Sequence, residues 1–359
     1  MNNIFDNKTI LITGGTGSLG KTLVKRILSN EQGVVKKLII FSRDEAKQHA
    51  MRVNFANEKS ATDEITYNNF LRLLEFRLGD VRNFSDIASA MKGVDIVINA
   101  AALKQVPSCE YFPEQALKTN CDGAVNIIRA ISELSLSVET VVCISTDKAC
   151  KPVNVMGITK SLQERLFLSA NILNKETRFI AVRYGNVFAS RGSVIPLFHD
   201  QITSGGPVTI TVPTMTRFLL TLDQAVDTVY AAINDALPGE IFVPRAPASS
   251  VMDLAKALIG DRDIDIKITG IRPGEKLHEI MISDEEAPYA RECGSYYGIS
   301  SMLPELHSFK DNKYPEAIKG EYSSEHSVVG LEETVSLLKK NSLMLEDQIA
   351  NKNDGELLK

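Results

Sequence analysis

The chain has 359 residues, 44% of them apolar, which is enough to bury one large core and a smaller one. Its 40 basic and 45 acidic residues give a formal net charge of −5 without a basic block, so we expect no nucleic acid and no anionic membrane as a partner. The sequence starts without a charged and apolar leader and has no apolar run of about 18 residues, so it predicts a cytoplasmic protein without membrane insertion.

Strand-length apolar runs alternate with helix-length amphipathic stretches over the first half of the chain. The runs are TILIT, KKLIIFS, LLEFRLGD, DIVINAAA, ETVVCIST and RFIAVRYG. Strands that are apolar on both faces belong to a parallel sheet that is covered by helices on each side. The sequence therefore predicts an α/β fold with a doubly wound parallel sheet of the Rossmann type.

The predicted domain division follows from the point at which this alternation loosens. Residues 1–185 are expected to form the dinucleotide-binding domain, and 220–245 to return to it through a helix and a strand. Residues 186–219 and 246–302 are expected to build a smaller C-terminal substrate-binding lobe. Residues 303–359 form a polar extension with one helical stretch, GLEETVSLLKK, and an end that is expected to be disordered.

A glycine-rich turn follows the first predicted strand and leads into a helix. Glycines there let backbone N–H groups and a helix N-terminus approach a pyrophosphate. The predicted phosphate-binding residues are Gly14, Thr16, Gly17, Ser18, Leu19 and Gly20. Such a segment can be a turn and nothing more, but its place after the first strand of a βαβ unit favours dinucleotide binding.

The end of the second predicted strand bears on which nicotinamide cofactor fits. An acidic residue there binds the ribose 2′-hydroxyl of NAD, whereas Ser and Arg can hold the 2′-phosphate of NADP. Ser42 and Arg43 stand at this point, so NADP is favoured over NAD; the alternative is that Arg43 is a solvated loop charge. The other predicted cofactor contacts are Asp80 and Val81 at the adenine edge, and Ala100 and Ala101 where the backbone passes close to the dinucleotide.

Polar side chains follow the fifth predicted strand at the carboxyl edge of the sheet, where open α/β sheets bind ligands. They are Thr146, Asp147 and Lys148 in STDKA, and they suggest chemistry, with a structural salt bridge as the alternative. Lys160 lies on a predicted helix four residues after Met156 and on the same face. We expect Lys160 to reach the nicotinamide ribose.

Taken in order, these motifs resemble those of extended short-chain dehydrogenase/reductases. The resembling segments are TGGTGSLG, FSRDE, GDVRN, AAALKQVP, STDKA, NVMGITK, RYGNV with SRGSVIPLF, MTRF and RPGEKLHE, and they span about residues 5 to 300. Within that superfamily the chain is similar to UDP-N-acetylglucosamine 4,6-dehydratases of polysaccharide and glycan biosynthesis.

The resemblance implies an enzyme that oxidises C4 of the hexose, removes water across C5 and C6, and returns the hydride to C6. Lys148 then corresponds to the base of the family and Asp147 to its acid. Lys148 must be neutral at some point, which burial beside the nicotinamide and Lys160 is expected to favour. Asp147 must be protonated for part of the cycle, which desolvation is expected to favour.

One position departs from the pattern of the superfamily. Most members have Tyr-x-x-x-Lys, in which the Tyr takes the proton of the hydroxyl being oxidised, and Met156 stands in its place here. The C4 proton must then pass to Thr146, Asp147, Lys148 or a water held by Lys160. A subset of the dehydratases shares this methionine, and likeness to that subset implies inversion at C5.

The resemblance also implies a UDP-sugar substrate. The substrate-binding positions of the family match Lys104, Asn186, Arg191, Arg217, Arg272 and Glu275. Arginine suits a diphosphate because its planar group donates two parallel hydrogen bonds. Analogy with the superfamily and the apolar spacing after Leu303 predict a homo-oligomer, and no Cys or His spacing predicts a metal site.

Two alternatives stay open from the sequence. A UDP-hexose C4 epimerase would use the same fold and cofactor, but it needs no acid and base for elimination. A non-catalytic NADP-binding or scaffold protein would account for Met156, but it would have no use for Asp147, Lys148 and the arginines.

Overall fold

A nine-stranded sheet lies at the centre of the computed structural model, which describes residues 3–57, 64–188, 194–306 and 317–347. The strands are β1 (Thr9–Thr13), β2 (Lys37–Ser42), β3 (Leu74–Leu78), β4 (Ile96–Asn99), β5 (Thr140–Ile144), β6 (Arg178–Val182), β7 (Val208–Ile210), β8 (Thr216–Phe218), β9 (Ile241–Pro244), β10 (Ala248–Ser250), β11 (Ile266–Ile268), β12 (Ile280–Ile282), β13 (Ala290–Cys293), β14 (Tyr296–Ile299) and β15 (Tyr322–Ser323). The main sheet has the order β13-β14-β9-β6-β5-β4-β1-β2-β3, and its strands from β9 to β3 run parallel.

Helices cover both faces of this sheet. They are α1 (Ser18–Leu28), α2 (Glu45–Asn57), α3 (Glu64–Leu73), α4 (Phe84–Ala90), α5 (Val106–Tyr111), α6 (Pro113–Leu117), α7 (Gly123–Leu134), α8 (Val155–Ala170), α9 (Val194–Thr203), α10 (Leu222–Asp235), α11 (Val251–Ile259) and α12 (Leu331–Lys340). Helices α4, α7 and α8 pack against one face of the sheet, and α1, α3 and α10 against the other. The doubly wound architecture predicted from the sequence is confirmed.

The central strands are buried because their side chains alternate between two cores. In β1, Leu11 packs on the side of α4 and α7, whereas Ile10 and Ile12 pack on the side of α1 and α10. All residues of β1 and β5 are buried, as expected for parallel strands covered on both sides. Each such side chain contributes roughly 1.5–3 kcal/mol to the folded state, so the carboxyl edge of the sheet is a rigid platform.

The second half of the chain contributes further strands to this sheet. Helix α10 and strand β9 return to it, with β9 parallel to β6. The hairpin β13–β14 then pairs antiparallel with β9, although the sequence division placed these residues in the lobe. That assignment is wrong, because the hairpin pairs with β9, which would otherwise be an unpaired edge strand. The sequence did not predict this pairing because the hairpin segment is short and has no hydrophobic periodicity of its own.

A separate apolar core holds the lobe together. It joins α9, α11 and α12 through Phe198, Leu254, Leu258 and Leu338, among others. The helix of the C-terminal extension is thus part of the lobe, while the end predicted to be disordered falls on residues 348–359, outside the described ranges. Of the helices in these ranges, none has the length and apolar content needed to cross a membrane.

Candidate functional site

The glycine-rich turn between β1 and α1 is shaped for close approach. Gly14 has a φ of +66°, and a Cβ at this position would lie 2.8 Å from the backbone of Ala101. A Cβ on Gly20 would lie 2.4 Å from the carbonyl oxygen of Gly15, so α1 can pack on the turn only through a glycine. At Gly17, the N-cap of α1, a Cβ would meet only the carbonyl of Gly14, at 3.3 Å, which leaves the helix N-terminus open to an anion.

The neighbouring predicted contacts lie around this turn. Thr16 is buried in it, Ser18 is the first residue of α1, and Leu19 packs against both cores of the sheet. The ends of β1 and β4 are joined by a hydrogen bond from Thr13 Oγ1 to Asn99 Oδ1 (2.6 Å), which places Ala100 and Ala101 against Gly14. The turn therefore fits a dinucleotide, with small residues and the N-terminus of α1 where a pyrophosphate would lie.

The end of β2 presents a serine and an arginine, as the sequence suggested. The Ser42 hydroxyl is buried and accepts a hydrogen bond from Gln48 Nε2 at 3.0 Å. Arg43 is half-exposed, and its Nη1 lies 3.8 Å from Asp80 Oδ2. Arg82 holds the same carboxylate much more closely, at 2.6 Å, so the Arg43 guanidinium is only loosely engaged.

Val81, the second predicted contact at the adenine edge, is anchored in the core. Its side chain is buried, packs against Gly123, and belongs to the core beneath α4 and α7. Its carbonyl accepts a hydrogen bond from Asn126 Nδ2 at 2.9 Å. Asp80 is therefore the polar side chain at this edge.

The predicted catalytic residues lie on a short turn at the end of β5. The Thr146 hydroxyl caps a 3-10 turn over Asp147–Ala149. Helix α8 packs directly on this turn at Gly157, where a Cβ would lie 2.3 Å from the carbonyl oxygen of Lys148. Asn154, the N-cap of α8, also donates from its Nδ2 to the Gly274 carbonyl at 2.7 Å, so the start of α8 is bound to the RPGEK loop of the lobe.

Asp147 is fully buried at the centre of the site. Its Oδ1 accepts hydrogen bonds from Thr146 Oγ1 (2.8 Å) and Lys148 Nζ (3.0 Å). Its Oδ2 is buried and has no hydrogen-bond partner among the described residues. Burial raises the pKa of Asp147, although Lys148 opposes the rise; this is the direction needed for a carboxyl that exchanges protons.

Lys148 lies between two carboxylates. Its Nζ donates to Asp147 and to Asn186 Oδ1 (2.9 Å) and lies 3.2 Å from Glu279 Oε1. Burial alone would lower its pKa, but Asp147 and Glu279 outweigh burial and raise the pKa of Lys148 above its usual range. Burial thus favours the neutral amine, as expected from the sequence, but it does not prevail here, because Asp147 and the unforeseen Glu279 both stabilise the ammonium form.

Glu279 is the site residue that sequence reasoning missed. It is almost fully buried, and Arg217 Nε lies 3.8 Å from the same Oε1 that faces Lys148. Burial favours its neutral form, yet Lys148 and Arg217 lower the pKa of Glu279, so it stays ionised. Glu279 is the last residue of the RPGEKLHE motif, but nothing in the local sequence indicates that it lies near the end of β5.

Lys160 and Met156 share a buried face of α8, as predicted. Met156 packs with Cys109 and Ala116 in a small apolar cluster, so no hydroxyl stands in the place of the missing tyrosine. Lys160 Nζ donates to the Ile144 carbonyl and to Gln163 Oε1. Burial lowers the pKa of Lys160, so this amine is easier to deprotonate than an exposed lysine.

The predicted substrate residues divide into two groups. Asn186 and Arg217 lie beside Lys148 and Glu279, and they line one cleft together with apolar residues of the lobe. Lys104 and Arg272 are exposed, and Arg272 Nη1 is 3.9 Å from Glu275 Oε1. Arg191 lies outside the described residues.

A buried ionic network lies behind the catalytic turn and was also not predicted. Arg183, at the end of β6, pairs with Glu164 of α8 and Glu286 of the lobe, both at 2.7 Å. Ser145 Oγ donates to Glu164 Oε1 at 2.5 Å. Burial opposes ionisation of Glu286, but Arg183 lowers its pKa to about 2, so the network fixes the lobe against the sheet edge.

Comparison with known proteins identifies the family. The profile of a family described as "Polysaccharide biosynthesis protein" matches residues 10–301. A "UDP-glucose 4-epimerase" of Rickettsia bellii is 43% identical over 344 residues, covering 93% of this chain and 96% of its own.

Solved structures agree with this fold. The X-ray structure of Pen from Bacillus thuringiensis is 34% identical, with a TM-score of 0.83, and the match covers 95% of this chain and 99% of Pen. A dTDP-glucose 4,6-dehydratase from Streptomyces venezuelae, solved with NAD and TYD bound, has a TM-score of 0.63 at 18% identity, over 75% of this chain and 86% of its own. The second likeness supports the fold alone.

Proposed function

We propose that this chain, which belongs to the polysaccharide biosynthesis protein family, is a UDP-N-acetylglucosamine 4,6-dehydratase with an internally recycled NADP. The main support is the pair at the end of β5: a fully buried Asp147 whose carboxylate lies 3.0 Å from the amine of Lys148. Eliminating water needs one group to receive the C5 proton and another to protonate the departing C6 hydroxyl. These two side chains are adjacent and can serve both tasks.

The glycine turn and the end of β2 would hold the cofactor. Gly14 and Gly20 allow the turn to pack closely, Gly17 leaves room for a pyrophosphate at the N-terminus of α1, and Ser42 with Arg43 would receive the 2′-phosphate. When bound there, NADP⁺ would supply the acceptor for the C4 hydride and, in its reduced form, the hydride donor for C6. Lys160 would turn from its Ile144 and Gln163 partners toward the nicotinamide ribose.

Thr146 and Asp147 would replace the missing tyrosine in handling the C4 proton. The Thr146 hydroxyl donates to Asp147 Oδ1 at 2.8 Å, so it can pass a proton from the C4 hydroxyl to that carboxylate. Asp147, now neutral, protonates the C6 hydroxyl, which leaves as water. The proton lost from C4 thus departs in the water molecule, and Asp147 returns to its starting state.

Lys148 would remove the C5 proton, which the C4 ketone makes acidic. Only the neutral amine can do this, and a raised pKa makes that form scarce at neutral pH but a strong base once formed. Hydride addition at C6 is followed by protonation of C5. We propose inversion at C5, on the resemblance to dehydratases with Met at the tyrosine position. A solvent water on the face opposite Lys148 would then give C5 its proton, and the partly exposed Lys148 would release the proton it took from C5 to solvent, which restores the neutral amine.

The second candidate is a nucleotide-sugar C4 epimerase, since the Rickettsia bellii relative carries that name. Epimerisation needs proton exchange at the C4 hydroxyl alone. It leaves the base Lys148 without a task, whereas the missing tyrosine at Met156 affects C4 oxidation equally in both reactions. The buried Asp147–Lys148 pair therefore favours the dehydratase.

Proton NMR of the product tests the proposal. Incubation with UDP-N-acetylglucosamine is expected to produce a new C6 methyl signal. Inversion at C4 alone, with this sugar or with UDP-glucose, would identify an epimerase, and no change would favour a binding protein. Repeating the reaction in D2O and reading the ring proton couplings tests C5, where a D-xylo product would contradict inversion.

A further inference from the structure

Glu279 faces the catalytic turn from the lobe. It immediately precedes β12, and its backbone N–H donates to Ser324 Oγ at 2.9 Å. Its Oε1 lies 3.2 Å from Lys148 Nζ, about as close as Asp147 Oδ1 on the other side. Its Oε2 is buried without a hydrogen-bond partner among the described residues. A buried carboxylate held so firmly against an amine is more than is needed to attach the lobe.

Charged groups face Glu279 from three neighbouring segments. Asp147 and Lys148 face it from the turn after β5, Arg217 from β8, and Lys276 from the preceding loop. Three cations against one competing carboxylate keep Glu279 ionised. Asp147 has the opposite balance, since it is fully buried and has Glu279 as a like-charged neighbour.

We propose that Glu279 is a positioning residue for the elimination: it orients Lys148 and remains the permanent anion that stabilises the ammonium ion formed when Lys148 takes the C5 proton. This inference rests on the proposed dehydratase activity. This role of Glu279 follows from the change in protonation of Asp147 during the reaction. When Asp147 becomes neutral by accepting the C4 proton, Lys148 loses one of its two anionic partners. Among the described residues, Glu279 is then the anion that supports the charge of the amine, beside the neutral acceptor Asn186.

The two carboxyls therefore have separate tasks because their environments differ. Repulsion from Glu279 raises the pKa of Asp147 and so helps it to carry a proton, while attraction from Glu279 raises the pKa of Lys148 and makes the neutral amine a stronger base. Both effects have the same sign. Neutralising Glu279 must lower both pKa values together.

The variant Glu279→Gln tests this inference, because the amide oxygen can still accept from Lys148 but carries no charge. The rising limb of the kcat–pH profile reports deprotonation of Lys148. We expect this limb to move to lower pH by about one unit or more, because Lys148 loses an ion-pair partner within contact distance. The maximal kcat should fall by up to about tenfold for each unit of Lys148 pKa that is lost, with KM little changed.

Two further variants serve as controls. Glu279→Asp retains the charge, so its kcat should fall without movement of the pH limb. Glu325→Gln removes an exposed carboxylate of the same lobe that lies 3.8 Å from His278 Nε2, and it should leave the profile unchanged. A Glu279→Gln enzyme that loses activity equally at every pH, with its limb in place, would show a structural role alone and overturn the proposal.

A direct titration separates this inference from the proposed reaction. Lysines of the full chain can be labelled by reductive ¹³C-methylation, and the Lys148 signal assigned by its absence from Lys148→Arg. In the wild-type protein this signal should titrate above those of exposed lysines. Titration at or below the exposed lysines overturns the inference, even if Glu279→Gln does not fold. If the pKa of Lys148 is raised but the protein forms no methyl product, the proposed dehydratase activity is wrong, while the electrostatic coupling of Glu279 and Lys148 is confirmed.

Discussion

At the scale of single residues, burial and charge give the two adjacent groups of STDKA different chemistry. Asp147 has no exposed surface, and one of its oxygens has no hydrogen-bond partner within the described part of the chain, whereas the Lys148 side chain keeps 22% of its surface exposed. A buried carboxyl with a free oxygen can accept and release a proton without losing a structural hydrogen bond. Proton transfer by such groups counts mainly in the transition state.

We therefore predict that Asp147→Asn and Lys148→Ala abolish dehydration but retain binding of the UDP-sugar. Loss of a positioned acid or base should lower kcat by about 10²- to 10⁴-fold, while affinity changes little because the diphosphate is expected to bind elsewhere. Product NMR and isothermal titration calorimetry measure the two quantities separately. Lys151→Ala is the matched control, since this lysine follows closely but is bound to Asp284 and Glu321 at the surface. Near-normal turnover in either active-site variant would refute its assigned role.

The residues that could be predicted are those whose position follows from one strand. Asp147 and Lys148 come directly after β5, and parallel strands end at a common edge, so the sequence was sufficient to place them. Glu279 and Arg217 reach the same point through the lobe, from segments far along the chain. No local pattern encodes that approach, and for this reason the stabilisation of the Lys148 ammonium ion by Glu279 was not predicted.

At the scale of elements, the predicted cofactor site consists of the glycine-rich turn between β1 and α1 together with the end of β2. We predict that the purified protein carries NADP(H) and that Arg43→Ala weakens NADP binding by about 10- to 100-fold, the effect of losing a hydrogen bond to a charged group. NAD binding should change little. Arg82→Ala is a control from the same surface, because Arg82 shares the Asp80 partner without a predicted phosphate contact. Extraction of NAD alone from the wild-type protein would contradict the assignment.

Elements with strong periodicity were predictable, and those made by pairing at a distance were not. The six apolar runs of the first half correspond to β1 through β6. Five of these strands are almost entirely buried, whereas β3, at the edge of the sheet, is only partly buried. The hairpin β13–β14 is partly exposed and has no such pattern. Its place beside β9 depends on a free sheet edge, which exists only after the parallel strands have formed.

At the scale of the whole molecule, the C-terminal extension completes the lobe. Leu338, Leu343 and Leu345 are buried in the same core as α9 and α11. Their apolar spacing was expected to add contacts between subunits. In the structure it is satisfied within the chain, so this part of the reasoning for a homo-oligomer no longer holds, and another surface must supply the contact.

The outer face of α8 is the surface on which we base the prediction of a homo-oligomer. Ile158 and Leu162 are 53% and 44% exposed, and Leu162 lines an apolar groove with Met302, itself 42% exposed. Adjacent exposed apolar side chains on a helix are typical of a protein interface.

We expect light scattering to give a mass above the 39.5 kDa of one chain. Leu162→Arg should lower that mass, because an interface would bury an unpaired charge, whereas Leu173→Arg, at a residue that is 87% exposed just beyond α8, should leave it unchanged. A wild-type mass near 39.5 kDa would show that the chain is a monomer and that this face has another use.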